Sequence, residues 1–214
     1  MTLGYIFDLD GVLTDTAEYH YRSWKRLAAE EGIPFTREDN DALRGRSRRQ
    51  SLNILLDGRS YPEAALQDML ARKNAYYREL MVNISPADLL PGVGAFLDEA
   101  KASGIRLGLA SSSRNARDVC QRLGVLDHFD ALGDGLSVVN PKPAPDLFVW
   151  VAGGLHLSPH HCIVFEDAAA GIEAALAGHF WTVGLGPVER VGKAHRVCPG
   201  LDGARVADFA LPLD

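Results

Sequence analysis

Two aspartates, Asp8 and Asp10, directly follow an apolar segment near the start of the chain, in the stretch FDLDGVLTDT. A carboxylate can attack phosphorus and form an aspartyl-phosphate, and a second carboxylate can transfer the proton. Aspartate also favours turns, so the pair alone is equally typical of a strand-to-turn junction without catalysis. The other polar clusters of the chain decide between these interpretations.

Further polar clusters stand at the ends of predicted strands. The segment IRLGLAS leads into three serines, Ser111 to Ser113, and CIVFED ends in Glu166 and Asp167. NPKPAP adds Lys142 in a loop before a helix. Because ligands bind outside the carboxyl ends of strands in open parallel sheets, we expect these groups to meet. Carboxylates crowded at one point need a cation, and an oxygen-only set suits Mg²⁺, while the hydroxyls and the ammonium suit phosphate.

The chain has the alternation of elements that would bring these groups to one edge of a sheet. Leu3 to Phe7 is a short apolar strand, and from Val93 onwards helical patterns alternate with apolar strands, ending at a predicted edge strand, HRVC. Residues 16–78 show helical spacing with Gly and Pro punctuation and no strand pattern. This predicts an α/β protein: a Rossmann-like parallel sheet core with helices on both faces, and an all-helical cap inserted after the first strand. The expected boundaries are 1–15 and 86–214 for the core domain and 16–85 for the helical cap domain.

The composition disfavours several classes of partner. The 214 residues carry a formal net charge of −6, which argues against nucleic acid despite the basic run RGRSRR. No apolar run approaches the roughly 20 residues of a membrane helix, and the first strand leaves no room for a secretory signal. Cys120, Cys162 and Cys198 show no CxxC spacing and are expected to be reduced. We therefore predict a cytoplasmic protein, monomeric by default, whose partner is a small molecule and not nucleic acid or a membrane.

The motifs FDLDGVLTDT, ASSS, KPAPD and FEDAAAGIEAA together resemble those of haloacid dehalogenase-type phosphotransferases, over nearly the whole chain. The resemblance implies that Asp8 is the nucleophile and that Asp10 is the general acid/base. It also implies that Ser111 and Lys142 bind the transferring phosphoryl group. The Mg²⁺ ligands that it implies are Asp8, Asp10 through its backbone carbonyl, Glu166 and Asp167.

The cap segments TAEYH, RSRRQSL and RKN, with SPADLLPG, resemble the β-phosphoglucomutases within this family. Those enzymes interconvert β-glucose 1-phosphate and glucose 6-phosphate through a bisphosphate. By resemblance, Thr16 and His20 lie at the hinge between core and cap and align Asp10, and Arg48 binds the second phosphate. The remaining substrate positions that the resemblance implies are Arg44, Ser51, Lys73, Ser112, Ser113, Arg114 and Asn115.

Some positions have explanations that need no catalysis. Without the resemblance, His20 is better explained as a helix-face histidine packed near Trp24. Arg46 and Arg49 have no role in the resemblance and are expected on a solvated basic face. Ala168 departs from the family pattern, because relatives often have serine there, and we expect this to alter rate or affinity and not reaction type.

Two other functions compete with the mutase. A hexose-phosphate phosphatase of the same fold would use water in place of the sugar hydroxyl, and Arg48 with the Thr16 and His20 hinge favours the mutase over it. A non-catalytic phosphate-binding module would need no second carboxylate beside Asp8. Such a module would also be expected to have lost one of the motifs, and each of them is intact.

Overall fold

Parallel strands form the centre of the molecule, of which the computed structural model describes residues 3–211. The strands are β1 (Gly4–Phe7), β2 (Arg106–Ala110), β3 (Ala131–Gly133), β4 (Cys162–Glu166), β5 (Trp181–Leu185) and β6 (Arg196–Cys198). They form one sheet in the order β3-β2-β1-β4-β5-β6, and every pair is parallel. The chain changes direction across the sheet at β1, so a ligand crevice is expected outside its carboxyl end. The predicted parallel sheet and the edge position of HRVC are confirmed.

Helices cover both faces of this sheet. The helices are α1 (Ala17–Glu30), α2 (Arg37–Asp41), α3 (Arg48–Leu56), α4 (Glu63–Met81), α5 (Val93–Ala102), α6 (Ala116–Leu123), α7 (Asp146–Gly154), α8 (Ala169–Ala177) and α9 (Val188–Val191). Alternate residues of β1 face opposite sides: Tyr5 stacks on Phe96 of α5, whereas Ile6 shares a core cluster with Phe148 of α7. The short α9 was not predicted, because one helical turn gives no readable period.

Helices α1 to α4 pack around an apolar cluster of their own, separate from the two clusters that flank the sheet. Trp24 and Leu27 of α1 are buried there with Leu52 of α3 and Met69 of α4. No strand interrupts residues 16–85 of the described chain. The all-helical insertion predicted after the first strand is therefore confirmed.

The two connections between the insertion and the sheet run side by side. The Leu90 N–H donates to the Leu13 carbonyl at 2.9 Å, and the Thr14 hydroxyl donates to the Asp88 carbonyl at 2.8 Å. Thr14 is only four positions beyond Asp10, so the segment that carries the second aspartate of the motif continues directly into this paired hinge.

All three cysteines are free thiols, with Cys120 and Cys162 buried and Cys198 half-buried. Among residues 3–211, no helix has the length and apolar character needed to cross a lipid bilayer.

Candidate active site

The register of the sheet brings the first aspartate of the motif beside the acidic end of β4. Phe7 pairs with Phe165, so Asp8 and Glu166 follow side by side one residue further on. On the other side of β1, β2 leads directly into Ser111, which lines the same cleft as Asp8. Asp8, Ser111 and Glu166 are buried. Groups that lie far apart in sequence thus meet at one edge of the sheet, as the alternation of strands and helices predicted.

Lys142 is a fully buried cation beside Asp8. Its Nζ donates to Asp8 Oδ1 at 2.6 Å, to Glu166 Oε2 at 3.0 Å and to the Ala110 carbonyl at 3.1 Å, which uses all three ammonium protons. Burial alone would lower the pKa of Lys142, but the Asp8 and Glu166 carboxylates raise it above its ordinary value. The site therefore holds a permanent positive charge next to the candidate nucleophile.

Asp8, Glu166 and Asp167 form a group of carboxylates whose oxygens can all lie within 4.8 Å of one another. Burial, and then the charge of Asp8, raises the pKa of both Glu166 and Asp167. A divalent cation would relieve this crowding, and three carboxylates are the hard oxygen donors that Mg²⁺ prefers. The donor set fits Mg²⁺. The Asp10 carboxylate is outside this group, so only its backbone carbonyl is left as the ligand that the resemblance implied.

Asp167 is held by a glycine and two arginines. Gly11 has φ +81°, and a Cβ on it would collide with the Asp167 carboxylate, which accounts for the glycine that follows the two aspartates. Arg44 of the cap lies 3.0 Å from Asp167 Oδ2 through Nη1. From the other side, Nε of Arg190 donates to the Asp167 backbone carbonyl at 2.6 Å. Arg190 was missed in the sequence, because α9 carries no motif that points to the site.

The Asp10 carboxylate has surroundings different from those of the Asp8, Glu166 and Asp167 cluster. The Thr16 hydroxyl donates to its Oδ1, and His20 Nε2 lies 3.8 Å from its Oδ2. Burial, and then the charge of Asp8, raises the pKa of Asp10 to about 7. A carboxyl group that exchanges its proton near neutral pH is suited to general acid/base catalysis.

His20 is a neutral imidazole that lies between Asp10 and the buried side-chain nitrogen of Lys73. Lys73 Nζ lies 3.0 Å from His20 Nδ1, and burial lowers the pKa of Lys73 well below its usual value. Burial lowers the pKa of His20 well below its usual value, and the positive charge of Lys73 lowers it further. The His20 ring packs on Tyr77, with ring centroids 4.5 Å apart. His20 therefore faces Asp10 in addition to packing on its neighbours, whereas the alternative considered from the sequence was packing alone.

Cationic side chains line the cleft from the cap side. Arg48, the first residue of α3, lines it, and burial followed by the nearby charge of Arg114 lowers the Arg48 pKa to about 10. Arg49 turns away and pairs with Glu63 at 2.6 Å, as a solvated position would. Arg46 is exposed, as predicted, but it also lines the cleft. The other predicted substrate positions that line the cleft are Arg44, Ser51, Lys73, Ser111, Ser112, Ser113, Arg114 and Asn115.

The cap rests directly on the core in this structure. The Ser112 hydroxyl donates to the Gly45 carbonyl at 3.0 Å, and the Asn115 amide donates to Asn74 Oδ1 at 3.0 Å. Gly45 has φ +73°, and a Cβ there would lie 2.7 Å from the Ala168 methyl group. Ala168, which departs from the family pattern, thus provides part of the surface on which the cap closes.

Comparison with known proteins agrees with this geometry. The family model of the haloacid dehalogenase-like hydrolases matches residues 3–179. A β-phosphoglucomutase of Bacillus subtilis is 45% identical over 185 residues, which covers 85% of this chain and 82% of that protein. A phosphorylated carbohydrates phosphatase of Thermotoga maritima is 31% identical over 172 residues, covering 79% of this chain and 78% of that protein. Among solved structures, a β-phosphoglucomutase from Clostridium difficile superimposes with a TM-score of 0.94 at 39% identity, covering 97% of this chain and 95% of that one.

Proposed function

Because the chain belongs to the haloacid dehalogenase-like hydrolase family, we propose that it is a phosphotransferase that interconverts β-glucose 1-phosphate and glucose 6-phosphate through a bisphosphate. The observation that carries this proposal is a pair of cations at one cleft, one buried behind the Asp8 that lines it and one lining it from the cap. Lys142 lies beside Asp8 in the core, and Arg48 lines the cleft from the cap. A mutase must hold one phosphate while it transfers the other, so it needs both.

The proposed chemistry begins at Asp8. Its carboxylate attacks the phosphorus of the bisphosphate, and the sugar oxygen leaves with a proton from Asp10. The next sugar phosphate then presents its hydroxyl, Asp10 takes that proton back, and the hydroxyl oxygen attacks the aspartyl-phosphate. Lys142 contributes a fixed positive charge at both steps. Positioning and charge neutralisation of this kind account for most of the catalysis of phosphoryl transfer.

Mg²⁺ is the proposed cofactor. Asp8, Glu166, Asp167 and the Asp10 backbone carbonyl would hold it, and a bound Mg²⁺ neutralises charge on the transferring phosphoryl group. Calorimetric titration should detect binding of Mg²⁺ to the wild-type protein and weaker binding to Asp167→Asn. Equal affinity in the two proteins would remove Asp167 from the ligand set.

We propose that the cap favours the mutase reaction over the phosphatase reaction, because it aligns Asp10 only when the cleft is shut. Thr16 and His20 belong to the start of the cap, yet they contact the Asp10 carboxylate of the core segment. Closure over a bound sugar phosphate would therefore orient Asp10 toward a sugar hydroxyl. With no sugar bound, the same carboxyl group is less well placed to activate water.

A coupled assay tests this function. The enzyme is given β-glucose 1-phosphate with a trace of the 1,6-bisphosphate, and the formation of glucose 6-phosphate is compared with the release of inorganic phosphate. We expect isomerisation to exceed phosphate release by a wide margin. If phosphate release dominates, the protein is a sugar-phosphate phosphatase, the activity named for the Thermotoga maritima relative.

We further propose a core domain of residues 1–15 and 86–214, a cap domain of residues 16–85, and a cytoplasmic monomer. The separate apolar cluster of α1 to α4 supports the division, and the free thiols are compatible with a reducing compartment. Light scattering on the purified protein measures the oligomeric state directly.

A further inference from the structure

Gln50, in the first turn of α3, uses both ends of its side-chain amide. Its Oε1 accepts a hydrogen bond from the Ser47 N–H at 2.9 Å, which completes the capping box at the start of the helix. Its Nε2 donates to the backbone carbonyl of Lys142 at 3.1 Å. A side chain of the cap is therefore bonded at once to its own helix and to the core loop that carries the buried lysine.

This amide links the chain segments that carry the two cations, Arg48 and Lys142. On the cap side, α3 begins at Arg48, only two residues from Gln50. On the core side, the carbonyl that Gln50 binds belongs to Lys142, the residue whose ammonium contacts Asp8 at 2.6 Å. The bond runs between α3 and a loop of the core. Gln50 is half-buried and belongs to none of the three apolar clusters.

We propose that Gln50 is a positioning residue that fixes the separation between the Arg48 phosphate site of the cap and the Lys142–Asp8 phosphoryl site of the core. The inference rests on the proposed function in one respect, because it requires a substrate with two phosphates. Only a ligand that fills both sites is sensitive to their separation. Glutamine is needed because glutamate, the other usual residue at this position of a capping box, has no proton to donate to the Lys142 carbonyl.

The test compares a donor that fills both sites with a donor that fills one. In Gln50→Glu the helix cap is retained, but the donation to Lys142 is lost. We expect kcat/KM for phosphate release from glucose 1,6-bisphosphate to fall roughly 2- to 12-fold, the worth of one neutral hydrogen bond. Phosphate release from acetyl phosphate should not change, and the melting temperature should stay at the wild-type value.

Two further variants separate the bridge from the helix cap and from charge. Ser47→Ala removes the capping hydroxyl and leaves Gln50 Nε2 free to bind Lys142, so it should lower the melting temperature but keep the ratio of the two activities. Gln50→Leu removes the donor without adding a charge, and it should lower the bisphosphate reaction as much as Gln50→Glu does. If Gln50→Leu keeps the wild-type ratio, the negative charge of glutamate and not the lost donor causes the effect, and the proposal is wrong.

Two further outcomes distinguish the positioning role of Gln50 from a general structural role and from the mutase function itself. Equal losses with bisphosphate and acetyl phosphate in Gln50→Glu would show a general structural role and overturn the inference. Phosphate release from the bisphosphate involves both sites whether or not isomerisation follows. A wild-type enzyme that fails to isomerise, yet shows the selective effect of Gln50→Glu, would refute the mutase function while supporting the role of Gln50.

Discussion

The Lys142 ammonium lies 2.6 Å from the Asp8 carboxylate, and both side chains are buried at the carboxyl edge of the sheet. Lys142 also contacts Glu166 at 3.0 Å, so it is fixed between the candidate nucleophile and a candidate metal ligand. The ammonium directs all three of its protons at protein oxygens, so its burial leaves none of them without a partner. A nucleophile held in this way keeps its orientation while the phosphoryl group arrives and leaves.

Replacing Asp8 with asparagine should abolish turnover, because an amide cannot form the acyl phosphate. The fold should survive, since asparagine has nearly the same volume. Intact-protein mass spectrometry after incubation with acetyl phosphate measures phosphoenzyme directly, and circular dichroism checks the fold. A phosphorylated Asp8→Asn protein would assign the nucleophile to another residue.

Replacing Asp10 with asparagine should slow sugar-phosphate turnover by about 10²–10⁴-fold, the usual worth of a positioned acid/base. Acetate is a good leaving group that needs little protonation, so phosphorylation by acetyl phosphate should be affected much less. Rapid-quench measurements of phosphoenzyme formation from both donors test this difference. A sugar reaction at the wild-type rate would require another proton carrier, and His20, whose Nε2 lies 3.8 Å from Asp10, would be the first to test.

The raised pKa of Asp10 predicts a pH-dependent stability in the absence of divalent cations. Asp10 ionises near pH 7 in the folded protein and near pH 4, roughly, in the unfolded chain. Below both values it is neutral in both states. As pH rises from about 4 to about 7 the unfolded chain binds fewer protons than the folded one, so the free energy of unfolding should fall.

Asparagine at position 10 cannot ionise, so the free energy of unfolding of Asp10→Asn should not show this fall. Urea unfolding in EDTA should therefore show the variant gaining on the wild type from pH 4 to 7, and then a constant difference at higher pH. Asp202→Asn, at an exposed aspartate, is the matched control and should show no such gain. A stability difference that is the same at pH 5 and pH 8 would contradict the assigned shift.

Arg48→Ala should reduce the mutase reaction more than any reaction with a single phosphate. Losing a charge-assisted contact to phosphate costs about 1.5–3 kcal/mol, or roughly 10–150-fold in kcat/KM. Phosphate release from acetyl phosphate should barely change. The adjacent Arg49→Ala is the control, because that arginine pairs with Glu63 outside the cleft and should leave both activities intact.

The ratio of the two activities decides what Arg48 does. Equal losses in Arg48→Ala would make this arginine a folding or closure residue. If neither activity falls, the cap does not bind phosphate through this side chain, and the phosphatase interpretation is strengthened.

Local patterns in the sequence were enough to predict the sheet, the helical insertion and the edge at which the chemistry lies. Apolar segments alternating with helices favour a buried parallel sheet, whose strand ends converge on one edge. Asp8, Ser111 and Glu166 each directly follow or end such a strand, so their meeting could be predicted without knowing a single distance.

The tertiary structure alone decided the contacts that cross between distant segments. The resemblance already implied that Thr16 and His20 align Asp10, and the structure adds that the Asp10 carboxylate lies outside the cluster of Asp8, Glu166 and Asp167. The structure also brings Arg190 onto Asp167 from a helix of one turn, and Gln50 onto Lys142 across 92 positions of sequence. Neither contact leaves a periodic or spacing signal in the chain, since each depends on how separately formed elements pack together.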